Sequence, residues 1–295
     1  MGIPLEILKL FMIESVLSVE TLVKKTNLTV YHLQSKTGAY VLKSVSGQAK
    51  VNRLFNEIDI FQMLSTTTFE KYAKPVTSIN KKFIEADCEL PGLHWCVIQY
   101  IPKQDLIKDF VTGAELGRTV AELHSLSLDI DSDSLKLTRA NEIRTNIDFL
   151  VNQGYGDLLY NRNLLSDIDR INKFPRSFIH GDLNFGNIIW TNMSKFMFID
   201  FEFSRYDLRI FDLATLLSPQ INEDNKVVEE VPIEFKNGLL SGYSEIIQLS
   251  KAELDHLETA SIIYWILVLI DTNKENGVSS DLIHNILKTL IERLS

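Results

Sequence analysis

The chain has 295 residues, 45% apolar and 23% charged, with a formal net charge of −9. That length and balance exclude a disordered or fibrous protein and allow one large domain or two smaller ones. An acidic balance argues against a nucleic-acid binder, which must neutralise phosphates with Lys and Arg; two cysteines, Cys88 and Cys96, build neither a disulfide framework nor a zinc site.

The first twenty residues have no basic leader and no small-residue cleavage site, so they do not read as a secretory signal. Met1-Gly2 suggests myristoylation, but Glu6 stands where Ser or Thr is wanted. From about Val19 to Val45 the chain reads as three strands, VETLVKK, LTVYHLQ and AYVLKSV, rich in β-branched and aromatic residues. Val51, Leu54, Phe55, Ile58 and Phe61 then recur at helical spacing. Two more strands are expected around Lys82–Asp87 and His94–Ile101, the second placing Cys96 in a buried run.

After Pro102 the pattern turns helical. Thr112-Gly-Ala-Glu115 has the form of a capping box opening a helix with Leu116, Val120, Leu123 and Leu126 on one face. Further helices are expected near Asn141–Asn152, Leu158–Asn172, Ile233–Ile247, Ala252–Asn273 and Asp281–Leu294. The apolar run Ser261–Ile270 is about half a membrane span and reads as a buried helix. The expectation is an α+β chain with a small antiparallel sheet and one helix over residues 1–101. A larger, mainly helical lobe with short strands follows over 102–295, with a cleft between the two.

SFIHGDLNFGNIIW (Ser177–Trp190) interrupts this helical half. Two strand-like runs bracket His180, Asp182, Asn184 and Asn187 together with Gly181 and Gly186, whose glycines permit backbone angles a side chain would hinder. Asn187 lies five positions after Asp182, and Asp200, at the end of the strand-like KFMFID, thirteen after Asn187. Read as strand, tight loop and returning strand, the segment sets two carboxylates and an amide oxygen around a small volume. Such oxygen donors suit Mg²⁺. Phosphoryl transfer needs this kit, because the protein's task is to position the acceptor and neutralise phosphate charge. Asp182 is then the candidate to orient or deprotonate an acceptor hydroxyl, and Asn187 and Asp200 the candidate metal ligands. Lys43, late on a strand, supplies a cation that Glu57 on the next helix can pair with.

HGDLNFGN, then FIDFE, then FDLA (Phe211–Ala214), resembles the aminoglycoside phosphotransferase and choline kinase family, small-molecule kinases of the protein-kinase-like fold. VLK at Lys43, Glu57, IQYIP (Ile98–Pro102) and LGRTVAELHSL (Leu116–Leu126) extend the resemblance over most of the chain. It implies ATP and Mg²⁺ as cofactors, Asp182 as catalytic base, Asn187 and Asp200 as metal ligands, and Lys43, paired with Glu57, on the ATP phosphates. It also implies adenine bonded to the backbone of Gln99 and Ile101. The family's acceptors are small hydroxyl compounds: amino alcohols, homoserine-like amino acids, sugars or aminoglycosides. The turn Lys24–Thr29 lacks the glycines of a protein kinase's phosphate cover, and only twelve residues separate Asp200 from Asp212, too few for a protein-substrate activation segment.

Other polar residues have plainer readings: His180 as a buried imidazole, Asp212 as a helix cap paired with Arg209, His124 as a satisfied interface histidine, and Tyr264 and Trp265 as core, with a cation box for an ammonium group as their alternative. Glu258 and Asp271 read as solvated. A non-haem iron site from His180, Asp182 and His256 fits poorly, because His256 falls in a helical segment. The remaining alternative is a nucleotide-binding pseudokinase with a regulatory role. A cytoplasmic protein without nucleic-acid or membrane partners is expected.

Overall fold

The computed structural model describes residues 3–127, 151, 164–191, 193, 195–218, 220–221 and 227–276. The helix expected at 281–294, all but residue 151 of the one expected at 141–152, residues 158–163 of the one expected at 158–172, and the Met1-Gly2 pair lie outside them. The chain divides into two compact units, one formed by Met1–Asp105 with Gly186–Ser204, the other by Leu106–Phe185 with Arg205–Ser295.

The first unit is built on a five-stranded antiparallel sheet of order β1-β2-β3-β5-β4. Its strands are β1 (Val16–Lys25), β2 (Leu28–Ser35), β3 (Ala39–Val45), β4 (Ile84–Ala86) and β5 (His94–Gln99). Because side chains alternate along a strand, Leu33, Leu42, Trp95 and Val97 pack on one face against Ile7, Leu8 and Phe11. Ile7 and Leu8 belong to a six-residue helix, α1 (Leu5–Leu10), too short for its periodicity to stand out in the sequence. Lys43 projects from the opposite face of β3, in register with Cys96. On that side helix α2 (Gln48–Ser65) buries Leu54, Glu57, Ile58, Phe61 and Leu64. Phe55, expected on the buried stripe, is exposed and meets His94 edge-on. Ile60, outside the expected stripe, is buried as well.

The later segment of this unit contributes a two-stranded ladder, β7 (Ile188–Trp190) with β8 (Phe196–Phe198), and a 3-10 turn at Phe201–Phe203. Phe198 N–H donates to the Lys71 carbonyl and Ala73 N–H to the Phe198 carbonyl, at 2.9 and 3.1 Å.

The second unit is mainly helical. It holds α3 (Phe110–His124), α4 (Leu164–Ile171), β6 (Arg176–Ile179), β9 (Arg205–Leu208), α5 (Ile210–Leu217), β10 (Gln220–Ile221), β11 (Val227–Glu229), α6 (Ile233–Ser244), α7 (Lys251–Asp255) and α8 (Leu257–Asn276). β6 pairs with β9 and β7 with β8. The run after the HGD loop therefore does not return beside β6, because β9 occupies that place. α3 opens three residues earlier than the Thr112 box implied. Asp109 is the cap, accepting from Thr112 N–H at 2.9 Å while Thr112 Oγ1 accepts from Asp109 N–H at 3.2 Å; Glu115 pairs with Arg118 instead. The single helix expected over Ala252–Asn273 is two, divided at His256, whose backbone leaves the helical region. Ser261, Ile262, Ile263 and Tyr264 are buried in α8, and no helix among the described residues is long and apolar enough to cross a membrane.

α3 and α6 cross at backbone contact. An added Cβ on Gly117 would stand 2.1 Å from the Leu239 carbonyl oxygen, and one on Gly242 2.0 Å from that of Ala114.

Candidate active site

In the first unit the central strand β3 and the helix α2 packed on the sheet deliver one charged group each. Lys43 Nζ lies 2.9 Å from both carboxylate oxygens of Glu57 and 2.7 Å from Asp200 Oδ1. Glu57 is nearly inaccessible, with 1% of its side chain exposed, against 37% for Asp200. Burial works against the charge of Lys43, but Asp200 and Glu57 outweigh it and hold the ammonium protonated well above the usual lysine range. Burial pushes the Glu57 carboxyl up, to about 7, against the pull of Lys43. The bidentate contact marks Glu57 as the anchor that holds this ammonium in place.

Asp200 takes its position from the end of β8. Ile199 N–H donates to the Asn187 carbonyl at 3.0 Å, continuing the ladder one step beyond Ile188 and Phe198, so Asn187 and Asp200 adjoin the same ladder end. Asp200 has a left-handed backbone (φ 66°, ψ 58°), one that aspartate tolerates better than most side chains. The turn beyond it is held from α2: Asn56 Nδ2 donates to the Glu202 carbonyl at 3.1 Å, Lys50 faces the Glu202 carboxylate at 3.6 Å, and the Arg53 guanidinium lies 4.6 Å from the Phe203 ring centre. Burial, then the neighbouring Asp200, raises Glu202 above the ordinary carboxylate range. No sequence signal singled out Lys50, Arg53 or Asn56, which read as the solvated side of a helix.

A carboxylate and an amide oxygen at one ladder end are hard donors of the kind Mg²⁺ takes, usually with substrate phosphates completing its shell. The donor set fits that ion. Among the described residues no group of three or more His, Cys, Asp and Glu side chains stands where it could hold a metal ion without such help. At the end of β5, Gln99 N–H donates to the Lys74 carbonyl at 2.9 Å and Tyr100 N–H to the Ala39 carbonyl at 3.1 Å. Ile101 follows directly, half-buried.

Asp182 belongs to the second unit, in the loop after β6. That loop is anchored from beneath by Asp212, in the first turn of α5. The His180 and Gly181 N–H groups donate to its two oxygens at 2.7 and 2.9 Å, and His124 Nε2 lies 3.1 Å away. His124 Nδ1 is in turn 2.9 Å from the Tyr243 hydroxyl. Asp212 therefore neither caps α5 nor pairs with Arg209, which binds Glu253 at 2.8 Å. Burial would raise the Asp212 carboxyl, but the bond from His124, the nearby imidazoles and the Gly181 N–H hold it below its ordinary range. Gly181 turns the loop with φ 80°, a conformation side chains rarely adopt.

On this platform Asp182 Oδ1 accepts from the Tyr264 hydroxyl at 2.7 Å and from Asn184 Nδ2 at 3.2 Å. Tyr264, read from sequence as core, is buried but reaches the candidate base. His256 binds the Ala252 carbonyl through Nδ1 at 2.7 Å and lies 3.9 Å from Asp167.

A family model described as the phosphotransferase enzyme family matches residues 21–254. No curated protein matches the chain. Among solved structures, spectinomycin phosphotransferase with ADP and spectinomycin is 17% identical, with 97% of this chain and 95% of that one covered and a TM-score of 0.66. Amicoumacin kinase with AMP-PNP, Ca²⁺ and its antibiotic is 16% identical, with 98% and 92% covered and a TM-score of 0.63. A microcompartment-associated aminopropanol kinase is also 16% identical, with 97% and 94% covered and a TM-score of 0.63. The shared fold is the α+β, protein-kinase-like one.

Proposed function

Because the chain belongs to the phosphotransferase enzyme family, we propose that it moves the γ-phosphate of ATP to a hydroxyl group of a small molecule, with a divalent cation held by Asn187 and Asp200. The observation that carries this reading is the ion-paired set in the first unit: a protonated lysine fixed by a buried glutamate and touching an aspartate at 2.7 Å. A lysine tethered in that way presents its charge at one place, which is what phosphate oxygens require. The solved structures of similar fold support the nucleotide and the cation, since they were obtained with ADP, or with AMP-PNP and Ca²⁺.

In this reading Lys43 binds phosphate oxygens while Glu57 keeps it from swinging away. The cation, when bound, supplies charge neutralisation between the phosphates. With its own N–H given to Lys74, Gln99 offers adenine a carbonyl, and Ile101 offers an N–H. Asp182 takes the proton of the acceptor hydroxyl as that oxygen bonds to the γ-phosphorus, and the bond from phosphorus to the ADP oxygen breaks. The acceptor is a small, amine-bearing alcohol, in keeping with the spectinomycin and aminopropanol enzymes of similar fold. The setting proposed is cytoplasmic, where ATP is available.

The test is ADP release from MgATP across a panel of choline, ethanolamine, homoserine, 1-amino-2-propanol and spectinomycin. At least one acceptor should raise release well above the rate with water, and should lose that effect when Mg²⁺ is chelated. A rate indifferent to both acceptor and cation would contradict the proposal.

A further inference from the structure

We infer that Tyr264 is a positioning residue for phosphoryl transfer, its hydroxyl aiming the Asp182 carboxylate at the acceptor; the inference rests on Asp182 being the base. Asp182 sits in a loop, and its local support comes from two residues away: Asn184 N–H donates to the Asp182 carbonyl at 3.0 Å, and Asn184 Nδ2 to Oδ1 at 3.2 Å. Support fixed to a packed element comes from 82 positions away, through the 2.7 Å bond from Tyr264. The Tyr264 ring stands on α8, where Ile263 and Ile266 are also buried, with Trp265 edge-on at 6.0 Å. Only 4% of Tyr264 is exposed. A ring so placed has little freedom, so its hydroxyl defines a point in space that a loop aspartate cannot define for itself.

The chemistry gives this bond a direction. A buried phenol O–H must find an acceptor or lose its hydrogen bond to water, and here it donates to a carboxylate, the stronger kind of bond. Both Asn184 and Tyr264 act on the same oxygen, Oδ1. Two donors on one oxygen fix the rotation of the carboxylate and hence where Oδ2 points. A base whose second oxygen is aimed holds the attacking hydroxyl near its reactive orientation, and misplacement by about 1 Å costs on the order of 10²-fold in rate.

The experiment compares Tyr264→Phe and Asp182→Asn with wild type in ADP release from MgATP across the same five acceptors, choline, ethanolamine, homoserine, 1-amino-2-propanol and spectinomycin, with melting temperatures alongside. Tyr264→Phe keeps the ring and removes the hydroxyl. It should lower kcat by roughly 10- to 100-fold, with KM for MgATP within about twofold and melting nearly unchanged, because the lost bond acts on the reacting oxygen and not on nucleotide. Asp182→Asn should fall further. If Asp182→Asn is slow and Tyr264→Phe matches wild type, Tyr264 only fills the core and the inference is wrong. If Tyr264→Phe changes KM alone, the hydroxyl belongs to the nucleotide site, and the inference again fails. If Asp182→Asn keeps wild-type turnover, or wild type releases no ADP, the underlying function is what falls. Should Tyr264→Phe not fold, 3-fluorotyrosine at position 264 keeps ring and hydroxyl, adds one small ring fluorine and makes the O–H more acidic. A changed kcat at constant melting temperature then supports the role, and an unchanged kcat removes it.

Discussion

Lys43 faces two carboxylates, one shut away from water and the other partly open to it. Glu57 depends on it, because a buried carboxylate without a counter-ion is costly: breaking a buried ion pair from one side typically loses about 3–5 kcal/mol. Lys43→Met should therefore destabilise the protein by about 3 kcal/mol, read as a lower urea midpoint at unchanged slope, and should also raise KM for MgATP. An unchanged midpoint would mean that Glu57 does not depend on Lys43. The pairing itself was legible, since a lysine late on a strand and a glutamate on the flank of the next helix, in line with Phe61 and Leu64, stand at readable spacings. Tyr264 was not. Nothing local distinguishes a tyrosine that only fills the core from one whose hydroxyl reaches a loop 82 positions earlier. Asp212 misled for a related reason: at the start of a helix an aspartate looks like a cap, and its actual partners, the His180 and Gly181 N–H groups, lie more than thirty positions away.

Helices α3 and α6 are matched by what they lack. GAELG (Gly113–Gly117) and GLLSG (Gly238–Gly242) each place two glycines one turn apart, and each pair faces the other helix's backbone. In an ordinary helix interior Gly→Ala gains about 1 kcal/mol from propensity. Here the sign should reverse: Gly117→Ala and Gly242→Ala should each lower the melting temperature, overpacking costing roughly 1–3 kcal/mol. A rise in melting temperature would show that the helices can part without cost. This motif stood in the sequence, but spacing alone cannot say whether small residues face a neighbour or solvent. The strands were more readable. β5 reads as a continuous apolar run because Trp95 and Val97 enter one core face and Cys96 the other, a signature of a strand covered on both sides.

At the scale of the molecule, the described residues of the second unit gain a pH dependence from two buried carboxylates. Burial alone would raise Glu253, but the bonds from Arg209 and Ser250 hold it below its ordinary range, and Asp212 is likewise held down. A carboxylate with a depressed native pKa contributes stability above the unfolded value, about 4. That contribution is lost as the pH falls through the lower native value. Wild-type stability should therefore drop steeply below about pH 4. Arg209→Ala, which strips Glu253 of its partner, should be less stable at pH 7 by about 3 kcal/mol and show a shallower acid loss. Equal acid slopes for the two proteins would remove Glu253 from the account. The change of texture near residue 101 was visible in the sequence as strand patterns giving way to helical ones. The return of Gly186–Ser204 to the first unit was not, because it rests on backbone bonds to Lys71 and Ala73 that leave no periodic trace. The measurement that bears most directly on the whole is phosphorus-31 NMR of MgATP with the best acceptor of the panel, for wild type and Asp182→Ala. Wild type should build up a phosphomonoester in step with ADP, and Asp182→Ala should bind MgATP yet form the ester about 10²–10⁴-fold more slowly. Ester formed by the variant at the wild-type rate, or nucleotide bound by wild type with no ester from any acceptor, would contradict the assignment.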